Sequence, residues 1–407
     1  MTETSAVPLL YRREGVDPVR ELRQLREEGV VEYELLSGDK AWLITRHEDA
    51  RAVLADERFS NALTPPGVLR APPAEGEKEL TDSFRPQPGV FVHLDPPDHT
   101  RFRRMLTGGF TVRRMNQLQA RVEQIVTDRL DAMEQAGAPA DLVEAFALPV
   151  PSMVICELLG VPAEDREDFL SRCAKVMDLT LSQAEANAVH IAVYGYIAAL
   201  VARHRADPTG DGIIPMLIRD YRDEVTDEEL VGLSNLLLVA GHETTANMLG
   251  LGTLVLLQHP DQLAAIRDAS DPEVVAQAVE ELLRYLTPVP HGLVRTARED
   301  VRVGGQLIRE GEFVLVALPS ANRDQTFYTG NDPDRLDITR EPAPHLAFGH
   351  GIHHCLGAPL ARMELRIAFP ALFRRFPALA LAIPVDEVRF RLFSSVYGVH
   401  ALPVTWY

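Results

Sequence analysis

The segment between Thr226 and Pro260 constrains the fold of this chain more than any other. Thr226 and Glu229 have the spacing of a capping box, and Pro260 ends the helix that they start. Such a helix has about 30 residues and a length of roughly 45 Å. Its flanks, residues 230–239 and 248–257, are apolar, whereas residues 240–245 read AGHETT. A polar cluster inside a buried helix is costly unless it is paired or faces a cavity, so these residues are candidates for chemistry.

Helical patterns dominate the rest of the chain. Apolar residues recur at three- and four-residue steps over residues 115–133, Asp271-Pro272 starts another helix, and residues 360–368 follow a helical pattern. The clearest strand signals are short, at residues 41–45, 301–303 and 313–317. Residues 64–88 are rich in proline and indicate a long functional or mobile loop, or else a disordered surface excursion. The sequence therefore predicts a mainly α fold with a small β region.

Composition narrows the classes of function. The formal net charge of −18 argues against nonspecific binding to nucleic acid or to an anionic membrane. Three cysteines, Cys156, Cys173 and Cys355, give no sign of a disulfide framework. The first 13 residues contain no apolar run, so we expect no signal peptide, no membrane anchor and a cytoplasmic protein.

The strongest motif is a glycine-rich loop around Cys355, here called the cysteine loop (residues 348–357, FGHGIHHCLG). Its glycines let the backbone bend tightly and approach a flat ligand closely. Cys355 precedes the predicted helix, whose N-terminus favours thiolate over thiol. Three other interpretations stay open from the residues alone: a buried structural cysteine, a cysteine nucleophile, or a zinc site. A zinc site would draw on neighbouring histidines, namely His345, His350, His353 and His354.

The cysteine loop resembles the haem-binding signature of the cytochrome P450 family and matches it at every defining position. The resemblance implies that Cys355 is the axial ligand of the haem iron and the metal-binding residue, with electron donation that favours O–O cleavage. It also implies one P450 domain over residues 1–407, with haem b between the long central helix and the helix after Cys355. The β-rich parts are expected near residues 30–45, 295–320 and 380–407.

A second segment, DPPDHTRFRR at residues 95–104, opens a helix after two prolines. His99 and Arg103 are four residues apart and share a helix face. The haem carries two propionates, and buried carboxylates require cationic or hydrogen-bonding partners. The resemblance assigns His99 and Arg103 to propionate binding, together with Arg295 and His353. The alternative is a solvated basic face formed by the arginines of this region, Arg101, Arg103, Arg104, Arg113 and Arg114.

A third motif is Glu281-Leu-Leu-Arg284, whose charged residues share one helix face. Taken alone, the tetrapeptide is typical of a solvated surface pair. The resemblance implies a buried structural pair instead, joined by a second arginine from a later loop. Arg340 best matches that partner, and Arg335 is the weaker candidate. Residues 325–331 depart from the usual bacterial pattern.

The polar cluster of the central helix resembles the oxygen-activating segment of the family. Gly241 thins the helix where dioxygen has to bind. Oxygen activation consumes two protons, and an alcohol beside an acid can hold and relay them. The resemblance therefore makes Glu243 and Thr244 the catalytic pair. The alternative for Thr244 is a hydrogen bond from its hydroxyl to the backbone of its own helix.

The resemblance also implies partners. The reaction would insert one oxygen atom from O2 into a hydrophobic small molecule, by hydroxylation or epoxidation of a natural product such as a polyketide or macrolide. Electrons would come from NAD(P)H through a ferredoxin reductase and a ferredoxin, which would dock on the arginines near the haem; we expect a monomer. The substrate pocket is expected near residues 64–92, before Glu243, at 289–294 and at 394–396. A peroxide-driven haem-thiolate enzyme and a noncatalytic haem sensor remain the rival functions.

Overall fold

The central helix forms as the capping box predicts. It runs from Asp227 to Leu257, and its first turn is closed by reciprocal hydrogen bonds between Thr226 and Glu229, of 2.9 and 3.2 Å. Because other helices pack around it, most of its side chains are buried. The computed structural model describes residues 8–35, 37–63, 87–166, 169, 183–290, 292–392 and 394–407.

Helices make up most of the described chain, so the predicted fold class is confirmed. The helix that follows Cys355, here called the cysteine helix, is Ala358–Arg375 and packs against both the central helix and the helix Val112–Ala136. The other α-helices are Arg20–Glu28, His47–Ala55, Asp98–Thr107, Pro149–Leu159, Gln183–Ala206, Ile213–Asp220, Pro260–Arg267, Pro272–Leu286 and Leu318–Ala321.

The predicted periodicities correspond to buried faces. All seven apolar residues that recur between Met115 and Met133 are buried in the main hydrophobic core. Asp271 caps the helix Pro272–Leu286, since its Oδ1 accepts a hydrogen bond from the N–H of Glu273 at 2.9 Å. No helix within the described ranges is long and apolar enough to span a bilayer.

The β structure is small. The strands Lys40–Ile44, Val301–Val303 and Phe313–Val316 coincide with the predicted strand signals, whereas four short strands lie outside the expected β-rich parts: Arg13–Glu14, Asp17–Pro18, Phe59–Ser60 and Ala140–Asp141. One sheet has five strands in the order Val31–Glu34, Lys40–Ile44, Phe313–Val316, Leu293–Ala297 and Phe59–Ser60. Only the pairing of Lys40–Ile44 with Phe313–Val316 is parallel. A second sheet joins Ala380–Leu381, Pro403–Thr405 and Ala140–Asp141; two-stranded sheets pair Val301–Val303 with Gln306–Ile308 and Arg13–Glu14 with Asp17–Pro18.

The C-terminal end of the proline-rich segment lies against the first turns of the central helix. Residues 64–86 of the predicted loop lie outside the described residues. After them, the backbone of Pro88 and Gly89 lies directly against the first turns of the central helix. A Cβ atom on Gly232 would stand 1.8 Å from the carbonyl oxygen of Pro88, and one on Gly89 would stand 2.2 Å from that of Glu229. Two glycines therefore allow a backbone-to-backbone contact that fixes the short 3-10 helix Phe91–His93 beside the central helix.

Candidate functional site

A largely apolar cavity of about 320 Å³ lies between the central helix and the cysteine loop. The central helix contributes Leu236, Leu237, Ala240, Gly241 and Thr244, and the cysteine loop contributes Cys355. Phe91 and Val92 complete it beside the Gly89 contact. The cavity therefore brings the two strongest sequence motifs, far apart in the chain, into one site.

Two of the expected wall segments need correction. Leu293 lines the cavity but Val294 does not, because side chains alternate along the strand and Val294 packs into a separate cluster with Leu43. Residues 394–396 do not line the cavity either. Ser394 and Val396 are buried, and the residue that follows them, Tyr397, donates its backbone N–H at 2.7 Å to the carbonyl of Pro288, which lines the cavity.

Local backbone contacts hold Cys355 at the cavity. Its N–H donates to the carbonyl of Phe348 at 2.8 Å, which closes the cysteine loop. Gly351 has φ +72°, and a Cβ atom there would stand 2.3 Å from the carbonyl oxygen of Leu54, so only glycine fits this position. The backbone N–H groups of Gly357 and Ala358, at the start of the cysteine helix, donate hydrogen bonds toward the sulfur.

These amides do not by themselves make Cys355 a thiolate. Burial raises the pKa of the Cys355 thiol, and this effect exceeds the opposing influence of the two amides, Arg103 and Arg362. The helix N-terminus thus lowers the pKa of the Cys355 thiol as predicted, but burial raises it by more. A metal ion bound to the sulfur would supply the remaining stabilisation, since a coordinating thiol is deprotonated outright.

The four predicted propionate-binding residues form one cationic cluster. The ring centroids of His99 and His353 are 4.2 Å apart, and the charges of Arg103 and Arg295 help to lower the pKa of His353, which burial chiefly brings to about 3. His99, His353 and Arg103 line the cavity, whereas Arg295 is buried behind its wall. Within the described part of the chain, neither arginine has a carboxylate at ion-pair distance.

This cluster fits a ligand that carries carboxylates. The Nε2 atom of His99 is buried and has no hydrogen-bond partner among the described residues, which is a costly arrangement for a polar atom. Burial also lowers the pKa of Arg295 to about 10, so its charge lacks adequate compensation. Two propionates at this edge of the cavity would give His99 Nε2 a hydrogen-bond acceptor and would place negative charge near Arg295. The flat body of a haem would then lie against the apolar wall.

Asp95 is a residue that the sequence analysis did not single out. It accepts hydrogen bonds from the Ser60 hydroxyl, from the N–H of Asn61 at 2.9 Å and from Arg298. Its carboxylate opposes the effect of burial on the pKa of Arg295 and of His99. Asp95 therefore joins the start of the helix Asp98–Thr107 to the strand Phe59–Ser60. This connection holds His99 and Arg103, which lie on that helix, in place.

The zinc interpretation of Cys355 finds no supporting geometry among the described residues. The described residues contain no group of three or more histidine, cysteine, aspartate or glutamate side chains that could hold a metal ion. Both ring nitrogens of His345 are engaged elsewhere: Nε2 lies 3.2 Å from Glu280, and Nδ1 accepts from the N–H of Ala347 at 3.1 Å. This histidine is therefore unavailable as a zinc ligand or as a base for Cys355.

Glu281 and Arg284 form a buried ion pair rather than a surface pair. Arg284 donates to both carboxylate oxygens of Glu281, at 2.7 and 2.8 Å, and Arg340 donates to Oε1 at 3.2 Å. Arg335 contributes only its carbonyl oxygen, which accepts from Arg340. Arg340 is therefore the third member of the cluster. Residues 325–331, which depart from the usual bacterial sequence pattern, supply Tyr328. The centroid of its ring lies 5.2 Å from the guanidinium carbon of Arg284.

Thr244 and Glu243 leave the central helix in different directions. Thr244 lines the cavity, and its hydroxyl donates to the carbonyl of Ala240 at 2.8 Å, the local bond that the sequence analysis held as the alternative. Glu243 is only 3% exposed and does not line the cavity. Its Oε2 accepts hydrogen bonds from Arg391 at 2.9 Å and from Asn247 at 3.1 Å. The sequence could have suggested Asn247, one helical turn away, but it carried no signal for Arg391.

A second acid, Glu364 of the cysteine helix, was also missed. It lines the cavity, is 2% exposed, and its Oε2 has no hydrogen-bond partner among the described residues. Burial raises the pKa of Glu364 to about 8, so this side chain is neutral at pH 7. The sequence did offer a signal for it. Glu364 is an isolated acid on an otherwise apolar helix face, between Leu360 and Ala368.

Fold and site together fit a haem-binding oxidoreductase: Cys355 faces an apolar cavity beside a long helix and a cationic edge. A family model described as Cytochrome P450 matches residues 210–382. Cytochrome P450 165B3 of Amycolatopsis orientalis is 44% identical to this chain, over 100% of both sequences. The structure of P450 StaH from glycopeptide antibiotic A47934 biosynthesis is 46% identical, with a TM-score of 0.87, and covers 98% of this chain and 100% of its own.

A complex of CYP105P1 with filipin I is similar to the same degree, with a TM-score of 0.87, 43% identity and 97% coverage of each chain. The chain belongs to the cytochrome P450 family. It is an oxidoreductase, and its family implies a haem cofactor. The resemblance inferred from the cysteine loop is thereby confirmed.

Proposed function

We propose that this protein inserts one oxygen atom from O2 into a hydrophobic natural product, by hydroxylation or epoxidation, with haem b bound through Cys355. The observation that carries the proposal is that Cys355 and Thr244, from the two strongest motifs, line the same apolar cavity. Haem, when bound, supplies the oxygen chemistry. We infer that residues 1–407 act as one P450 domain.

Cys355 is the proposed iron ligand and the cationic cluster the proposed propionate site. The Nε2 atom of His99 and the charge of Arg103 reach the cavity edge directly, and His353 lies beside them. Arg295, behind the wall, adds positive charge there. Charge-assisted hydrogen bonds of this kind are about twice as strong as neutral ones, so they would fix the orientation of the haem.

Thr244 and Glu243 are the proposed proton-handling pair. The Thr244 proton is committed to the carbonyl of Ala240, which leaves the lone pairs of Oγ1 free to accept a proton or a hydrogen bond at the cavity. Glu243 is the adjacent acid. Because Glu243 faces Arg391 rather than the cavity, a proton that it takes up has to reach the Thr244 hydroxyl by rotation of the carboxyl or through water.

The cavity wall supports an apolar substrate. Phe91, Ile155, Leu236, Leu237 and Val289 present only carbon to its interior. A wall of this type favours burial of a hydrocarbon skeleton and leaves few fixed polar groups for orientation. A polyketide or macrolide suits it, and one related structure, that of CYP105P1, contains filipin I.

A ferredoxin is the proposed electron donor, supplied by an NAD(P)H-dependent reductase. The expected arginine surface is smaller than predicted, because several of its members are ion-paired: Arg101 with Glu229, Arg104 with Glu224, and Arg362 and Arg366 with Glu280. Arg113 is exposed, and beside it Val112 is 77% exposed. A small cationic and apolar contact of this kind suits a transient complex, whose electron-transfer rate should fall with rising ionic strength.

The first test is the carbon monoxide difference spectrum of the reduced protein. A strongly red-shifted Soret band that is lost in Cys355→His would establish thiolate ligation. A protein without haem, or a histidine-like band in the unmodified protein, would overturn the proposal. Turnover with NAD(P)H, reductase and ferredoxin then separates a monooxygenase from the rivals, since a peroxide-driven enzyme requires peroxide and a sensor forms no product.

A further inference from the structure

The carboxyl of Glu243 is held by a turn near the C-terminus. This turn, here called the C-terminal turn, comprises residues 390–392 and 394–399: Phe390 pairs with Val399, and the N–H of Arg391 donates to the carbonyl of Gly398 at 2.8 Å. From it, Nη1 of Arg391 reaches Oε2 of Glu243 at 2.9 Å. The Arg391 side chain is 24% exposed and that of Glu243 is 4% exposed. The pair therefore connects a buried acid to the protein surface.

Two further contacts fix this geometry. Asn247 donates to the same Oε2 atom at 3.1 Å and to the carbonyl of Glu243 at 2.8 Å, which orients the carboxyl along the helix. A Cβ atom on Gly398 would stand 1.5 Å from Oδ1 of Asn247, so the turn can approach the helix only because residue 398 is glycine. The position of Glu243 is thus set from two sides.

Within the described part of the chain, Arg391 is the ion-pair partner of Glu243. Among the described residues, the nearby titratable groups are His242, which precedes Glu243, and His400, which lies near Arg391 and Arg389. Burial lowers the pKa of both histidines, so they are neutral at pH 7. Neither histidine therefore adds a positive charge beside the pair of Arg391 and Glu243.

We propose that Arg391 is a positioning residue, which pairs with the Glu243 carboxylate and holds it on the side of the central helix away from the cavity. The inference rests on the proposed function, because it gives Glu243 a role in proton supply. An ionised carboxylate beside a half-exposed arginine can take up a proton from solvent, and the same carboxyl, one residue from Thr244, can then release it toward the cavity. The C-terminal turn is accordingly the side from which protons enter.

Arg391→Leu tests this role in the haem-loaded enzyme. Without the cation, a buried carboxyl favours its neutral form and exchanges protons less readily. We expect kcat for product to fall by about tenfold or more, which is less than the roughly 10²- to 10⁴-fold contribution of a positioned acid, because Glu243 itself is retained. KM should stay within about twofold, because Arg391 does not touch the cavity. The acidic limb of the kcat–pH profile should move to higher pH. Arg391→Lys should retain most of the activity, and Arg389→Leu, on an exposed neighbour, should leave kcat and the profile unchanged.

A double-mutant cycle separates positioning from a structural role. Once Glu243→Gln has removed the acid, Arg391→Leu should have almost no further effect on kcat. Additive losses, or an Arg391→Leu variant that behaves like Arg389→Leu, would overturn the proposal.

Infrared difference spectroscopy gives a readout that needs no turnover. At pH 7, Arg391→Leu should gain the carbonyl band of a protonated carboxyl, and the Arg391→Leu/Glu243→Gln variant should lack it. The neutral Glu364 contributes equally to each spectrum and cancels. Absence of the new band contradicts the proposal, whereas its presence supports the pairing even if the monooxygenase activity itself is not found. If Arg391→Leu fails to fold, Arg391→Gln, which keeps N–H donors without charge, is judged by the same band.

Discussion

His99 and His353 come from distant parts of the chain, yet their ring centroids lie 4.2 Å apart at one edge of the cavity. Burial is the main cause of a lowered pKa in each ring, and each also lies near the charge of Arg103. Both rings are therefore neutral at pH 7, and each can donate one N–H to an anion without adding charge to the cluster. The arginines therefore supply the positive charge, and the histidines supply hydrogen-bond donors that orient a bound anion.

His99→Phe should weaken retention of the haem. The variant removes the buried Nε2 donor and keeps the ring volume, so the loss corresponds to one hydrogen bond to a charged group, about 1.5–3 kcal/mol. We expect transfer of haem to apomyoglobin to become at least about tenfold faster. His350→Phe is the control, since His350 lies in the cysteine loop but does not line the cavity. Equal transfer rates for the two variants would remove His99 from the propionate site.

Arg340→Ala should destabilise the protein strongly. It removes one donor to the buried carboxylate of Glu281, which keeps Arg284 as its counter-charge, and it removes the donor to the carbonyls of Asn331, Asp332 and Arg335. Loss of a hydrogen bond to a charged group costs about 1.5–3 kcal/mol, and Arg340 is nearly as buried as Glu281. Urea unfolding measures the change in the free energy of unfolding. Arg335→Ala, on an exposed side chain, should change it by less than about 0.5 kcal/mol, and a comparable loss there would show that the wrong arginine was chosen.

Features of the site that depend on neighbouring residues were predictable from the sequence. The directions in which side chains leave their helices were not. The capping box, the helix start after Cys355 and the shared face of Glu281 and Arg284 depend on residues within one or two helical turns. The side from which Glu243 leaves its helix depends on Arg391, which reaches it from the C-terminal turn. Periodicity gives no information about such a distant cation. The same limit explains the error over residues 394–396, which do not line the cavity; the residue after them, Tyr397, donates its backbone N–H to Pro288 of the wall.

Thr244→Ala should uncouple oxygen consumption from product formation. The variant keeps the helix, because the Thr244 hydroxyl satisfies only a carbonyl that already belongs to a helical turn. It removes the one hydroxyl of the proposed proton pair at the cavity, so reducing equivalents should drain to hydrogen peroxide with little product. The ratio of product to NAD(P)H consumed is the measurement. Thr253→Ala, on the same helix but away from the cavity wall, should keep the coupling of the unmodified enzyme. Unchanged coupling in Thr244→Ala would exclude Thr244 from the mechanism.

Glu364 should make stability depend on pH. Its pKa in the folded protein is raised from the ordinary value of 4.5 to about 8, so between these values the folded state holds a proton that the unfolded state has lost. Stability from this group is therefore fully present below pH 4.5 and decreases as the pH rises toward 8. Glu364→Gln, which cannot titrate, should remove that decrease and be the more stable protein at pH 8. Chemical unfolding at several pH values measures the slope, with the exposed Glu387→Gln as a control that should leave it unchanged. An equal slope in Glu364→Gln and the unmodified protein would mean that Glu364 is not held neutral by its burial.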